Sequence, residues 1–297
     1  MTQKRASRIG IAVAVSAGVL IGYLIFQTLA GFFFALYAGF LKGGDPEAME
    51  AYTTQHLADL FLISAIGYAA LVFAGLLIYK VIRPTSTFPD FIRFPVRVNP
   101  FVWIPGTYLL GVAMNLFLSN LITLIPFPEK WLADNAESVG MLSESNLLLM
   151  LIAQSLAAPL VEELIFRGVT YHCLRKAPIF KNTKVCIAVS AIIVSAIFGL
   201  FHGNILQAMY CFVFSMVLVW FVEQSGSIWY AVFAHMGFNS SWLPLLFIYK
   251  WYEKAAPMFK TFIFGIIVFI LTVVLIYFSS FRKKAKSIPG DSNAVNG

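Results

Sequence analysis

The chain has 297 residues, 60% hydrophobic and 12% charged, with a mean hydropathy of +0.82. A soluble domain carries roughly 25% charged residues, so water is not the main solvent of this one. Its net charge of +7 sits in short basic stretches between long apolar runs, which makes nucleic acid an unexpected partner and membrane lipids an expected one.

Eight apolar runs follow one another, at roughly 9–41, 57–82, 101–125, 147–174, 185–202, 205–222, 227–249 and 258–281. Each is long enough to cross about 30 Å of hydrocarbon. A bilayer interior requires every backbone polar group to be satisfied within its own segment, so the expected fold is an all-α, polytopic membrane protein. The basic start leads into an apolar run well past signal-peptide length, with no small-x-small cleavage site, and reads as an uncleaved first span. Cys173, Cys186 and Cys211 form neither a Cys-x-x-Cys pair nor a disulfide framework, and read as packing residues.

Charge orients the spans. Lys4, Arg5 and Arg8 precede the first; Lys80, Arg83, Arg93 and Arg97 lie between the second and third. Arg175, Lys176, Lys181 and Lys184 lie between the fourth and fifth, and Arg282, Lys283, Lys284 and Lys286 follow the last. The alternate loops hold acids such as Asp45, Glu47, Glu129 and Glu137. The positive-inside rule then places both termini in the cytoplasm. Composition and short loops suit a prokaryotic plasma membrane. Residues 1–286 are expected to form one transmembrane domain, and "SIPGDSNAVNG" (287–297) a flexible tail of turn formers.

Ionisable groups inside a membrane cost a few kcal/mol on insertion scales, and few occur here. Span four holds "LVEELIFRGVTYH", with Glu162, Glu163 and Arg167. Span seven holds His235 and Asn239, and His202 lies between spans five and six. Glu163 and Arg167 are four apart with the acid first, the favourable order for a pair on one helix face. Glu162 points about 100° away. One arginine therefore neutralises Glu163 well and Glu162 poorly. Pro159 removes a backbone donor just before, and is expected to kink the helix and free carbonyls. His235 and Asn239 are also four apart, two donors suited to an oxyanion. Gly199 and Gly203, like Gly18 and Gly22, have the spacing that lets helices approach closely. Taken singly, each feature also reads as structure: a neutralised strut, interhelical histidines, packing glycines. Asn115 and Ser119 read as bonds to a neighbouring helix.

Taken together, "EELIFR", "FGLFH" (Phe198 to His202) and "HMGFN" (His235 to Asn239) fit Glu-Glu-x-x-x-Arg, Phe-x-x-x-His and His-x-x-x-Asn, in that order on successive helices. This resembles the CPBP family of intramembrane proteases, the CAAX proteases and bacteriocin-processing (Abi) enzymes, over about residues 147–245. The resemblance implies an endopeptidase acting on membrane-bound, prenylated or bacteriocin- and signal-type peptides. In it Glu162 would be the general base on a water that His202 shares, and His235 with Asn239 would hold the oxyanion. Glu163, Arg167 and Phe198 would support them. Glu162, His202 and His235 would also make a two-histidine, one-carboxylate set for a divalent metal such as zinc. The spacings do not choose between a metal and a glutamate mechanism, and the Glu–His pair with two donors is already a hydrolytic set without metal. Straight helices would place His202 and His235 at different depths, so a distorted helix start and a polar cavity between spans four, five and seven are expected, opening to the cytoplasm. The alternatives are a non-catalytic immunity or regulatory protein on the same scaffold and a proton-coupled transporter. No inverted repeat supports the latter.

Overall fold

The computed structural model describes residues 3–82, 98–143, 146–177 and 179–285. The regular structure among them is entirely helical, and eight helices are long and apolar enough to cross a membrane. The spans are Gln3–Leu41, Leu57–Ile82, Pro100–Ile122, Leu147–Lys176, Thr183–Leu200, Ile205–Ser225, Trp229–Lys254 and Pro257–Ala285. Span seven is interrupted at Ser240 and Ser241, between the helices Trp229–Asn239 and Trp242–Lys254. Two shorter helices, Pro46–Gln55 and Glu129–Ser143, occupy the links after spans one and three. The expected tail 287–297 lies outside the described residues, as do Arg83, Arg93 and Arg97.

Local chemistry sets the helix starts. Asp45 caps Pro46–Gln55 by accepting from the Glu47 amide, with Pro46 at a position where a missing N–H is harmless. Asn99 followed by Pro100 starts span three in the same way. Asn182 and Asn204 cap spans five and six. Span six stops at Gly226, whose φ of 78° is the left-handed conformation that ends helices.

The bundle has two chemically different ends. At one, Arg5 Nη2 donates to the Ile179 carbonyl at 3.0 Å, and Arg175 Nη2 to Glu223 Oε2 at 2.9 Å. The start of span one, the end of span four and the end of span six therefore meet there. At the other end, Asn204 Nδ2 donates to Ser138 Oγ at 3.3 Å, tying the turn between spans five and six to helix Glu129–Ser143. Glu223 was not singled out as a partner for Arg175, since nothing in the sequence shows which span ends are neighbours.

Two glycines bring span seven against span three. A Cβ on Gly111 would lie 1.9 Å from the Ala234 carbonyl oxygen, and one on Gly237 2.0 Å from that of Tyr108. Of the glycines expected to pack, Gly199 does so, since its Cβ would lie 2.4 Å from the Ala208 oxygen. Gly203 does not: it has open space around it and a φ of 80°, so it makes the turn after span five instead. Gly18 is equally open, and a Cβ on Gly22 would meet the Tyr68 hydroxyl at an ordinary 3.5 Å. The "GVLIG" spacing is not a close helix contact.

Candidate active site

Span four is wound unevenly. Wide π-type turns run over Leu151–Ala157 and Leu164–Tyr171, on either side of the tight stretch Ala158–Glu163. In the first stretch the Ala158 amide reaches back five residues to the Ala153 carbonyl. The next bond in that pattern would run from residue 159 to Gln154, but residue 159 is proline and has no N–H to give. The Gln154 carbonyl instead accepts from Asn239 Nδ2 at 2.8 Å, and Ser155 Oγ donates to the Asn239 carbonyl at 3.2 Å. The carbonyl freed by Pro159 thus orients the amide of the third motif.

His202 is placed by a helix end. Its amide bonds to Gly199 at 3.1 Å, in a tightened last turn, and its Nδ1 lies 2.8 Å from the Phe198 carbonyl. A carbonyl can only accept, so Nδ1 carries the proton and Nε2 is left as the basic nitrogen. Gly203 and the Asn204 cap then reverse the chain.

The adjacent glutamates have different surroundings. Glu163 and Arg167 are fully buried and joined at 2.8 Å. Arg167 Nη2 also donates to Ser215 Oγ at 2.6 Å, which in turn reaches Ser195 Oγ at 2.8 Å. Glu163 Oε1 has a second partner, His235 Nδ1, at 2.9 Å. Glu162, whose side chain is 19% exposed, has Oε2 3.7 Å from His235 Nε2. Phe198 joins the two groups. Its ring stacks under the Arg167 guanidinium at 4.5 Å and meets the His202 and His235 rings at 4.9 and 5.6 Å.

Glu162, His202, His235 and Asn239 all line one cavity of about 970 Å³. The expected difference in depth between the two histidines is not seen, since both rings lie against Phe198. Two expectations need correction. Glu163 is more than half of a strut, because it also orients His235. And His235 is a donor toward the cavity in one protonation state alone: with Nδ1–H held by Glu163, its Nε2 donates only when the ring carries both protons. In that state Glu162, Glu163, Arg167 and the ring sum to zero charge.

The donor types of Glu162, His202 and His235 would suit zinc. Among the described residues, however, no three histidine, cysteine, aspartate or glutamate side chains converge as a metal set. The ligand geometry does not fit in this conformation, and no step below passes through a metal.

Residues 144–241, 98 of the 297, match the family model for Type II CAAX prenyl endopeptidase Rce1-like proteins. The match contains all three motifs and ends at the Ser240–Ser241 interruption. It bears out the CPBP/CAAX-protease resemblance and supports a multi-pass membrane endopeptidase in general terms. No curated protein and no solved structure matches the chain. The sequence reading missed the Glu163–His235 bond, which exists only once spans four and seven are packed. It also missed the break in span seven, for which the "NSS" of small polar residues was the available signal.

Proposed function

We propose that the chain is an intramembrane endopeptidase that uses Glu162 to activate water. The observation that supports it is the convergence of Glu162, His202, His235 and Asn239 on one cavity near the middle of span four. A water between Glu162 and the Nε2 of His202 gives a proton to the carboxylate as its oxygen attacks the peptide carbonyl carbon. The oxyanion that forms is held by the second Asn239 Nδ2 hydrogen and by Nε2–H of doubly protonated His235. Collapse returns the carbonyl, breaks the C–N bond and delivers the Glu162 proton to the leaving amine. Glu163 and Arg167 hold His235 in place throughout and exchange no proton. In this reading the protein lies in a plasma membrane with both termini cytoplasmic, and its partners are lipids and a membrane-bound peptide.

The test is cleavage of membrane-peptide substrates by the purified protein, read by mass spectrometry with and without a chelator. Cleavage that survives the chelator and disappears in Glu162→Gln supports the glutamate mechanism. Cleavage abolished by the chelator and restored by zinc would replace it with a metal mechanism. Proton-coupled uptake without proteolysis would favour the transporter.

A further inference from the structure

The cavity that holds Glu162 has a direction. Glu162 lies near the middle of span four, about 20 Å from either end at ~1.5 Å per residue. From there the lining continues along span three through Asn115 to Ile122 and Thr123 at its far end. Leu132, Asn135 and Ser138 of helix Glu129–Ser143 line it at that end, where Leu132 is exposed. That helix meets the turn after span five, at the end of the bundle opposite Arg5, Ile179 and the Arg175–Glu223 pair. Cytoplasmic termini and a cytoplasmic opening therefore cannot both hold. The positive-inside rule puts the basic end in the cytoplasm, and the cavity extends from Glu162 toward the other end.

The lining also has a character. Carboxamides recur along it, at Gln27, Asn115, Asn135, Gln154, Gln207 and Asn239. A carboxamide offers donors and an acceptor without a charge; the Asn115 and Gln207 oxygens already accept within the protein, and their amide N–H groups remain for the carbonyls of an extended peptide. A membrane peptide must unwind to be cut, and its exposed backbone groups then need such partners. Asn135 Oδ1 is buried without a hydrogen-bond partner, an acceptor available for this use. Glu162 is the only acid among the described lining residues, and no lysine or arginine is among them. A free C-terminal carboxylate close to the scissile bond would meet no lysine or arginine there, and any charge on His235 is already balanced by Glu162 and Glu163, which makes its burial unfavourable.

We infer that the site takes its substrate from the extracytoplasmic side: an exported, membrane-anchored peptide, held extended by the carboxamides and cut at an internal bond. Cytoplasmic lipidated C-termini are then not its substrates. This rests on the endopeptidase reading, and two measurements separate their failures. The first needs no turnover. With Cys173, Cys186 and Cys211 replaced by serine, Leu132→Cys and Lys181→Cys are treated with a membrane-impermeant maleimide on intact cells. Both native side chains are solvent-exposed. Labelling of Leu132→Cys on intact cells, and of Lys181→Cys only after permeabilisation, is expected; the reverse pattern overturns the inference.

The second measurement uses proteoliposomes of known orientation and single-span peptides carrying the cleavable sequence at their outer or inner end. Outer-end cleavage at least ten-fold faster supports the inference, and faster inner-end cleavage overturns it. Loss of Glu162-dependent cleavage even in detergent would remove the endopeptidase reading and the substrate with it. The labelling pattern distinguishes that outcome from a wrong side.

Discussion

Glu162 and Glu163 are neighbours in sequence and opposites in environment. Glu163 faces a buried interior where Arg167 and His235 both bond to its carboxylate and Ser215 accepts from Arg167. Glu162 is rotated by one residue into a cavity where the nearest cationic candidate, His235 Nε2, is 3.7 Å away. A helix turn of about 100° is enough to separate a buried, paired carboxylate from one that faces a cavity. The buried side holds the geometry, and the cavity side is left with capacity to react. Perturbing the two sides separately should therefore give different kinds of loss.

The largest effect is expected where packing allows nothing else. Gly111→Val sets a side chain where even a Cβ would meet the Ala234 carbonyl at 1.9 Å. Spans three and seven could not then approach, and no folded protein should be recovered in size-exclusion chromatography. Next comes the buried side. Arg167→Ala leaves Glu163 without its cation in a low-dielectric site, a loss of about 3–5 kcal/mol, which denaturation in detergent would measure. Equal stability of this variant and Glu162→Gln would break the assignment of the pair. On the cavity side, Asn239→Ala removes the proposed oxyanion donor and should lower kcat by about 10²–10³-fold, with KM little changed and a modest drop in melting temperature from the Gln154 carbonyl left without its partner. Smallest is Ser215→Ala, which removes one hydrogen bond to a charged group, worth roughly 1.5–3 kcal/mol. It should lower stability before it lowers kcat.

The same contrast explains what the sequence could reveal. The eight spans were legible because apolar length is a property of single segments. The separation of Glu162 from Glu163 was legible because helix angle is also local. The role of Pro159 was half legible: a freed carbonyl could be foreseen, but not that Asn239 from a distant span would take it. Features that depend on how spans pack were not legible. Glu163 reaching His235, Gly111 against Ala234 and the interruption of span seven all belong to this group. The extent of the cavity was not legible for the same reason: helix Glu129–Ser143 and the end of span three, which line it, lie far in sequence from the three motifs. That helix follows Pro126 and Pro128 and carries Leu132, Asn135 and Ser138 at helical spacing, a local pattern that does not reveal what it covers.

The most direct test compares Glu162→Gln with Glu163→Gln, measuring melting temperature and peptide cleavage on the same preparations. If neighbouring carboxylates divide reaction from support, Glu162→Gln melts like the parent and loses cleavage by about 10²–10⁴-fold. Glu163→Gln should melt lower, because Arg167 and His235 lose their shared partner. Cleavage retained in Glu162→Gln, or the larger drop in melting temperature appearing there, would contradict the account.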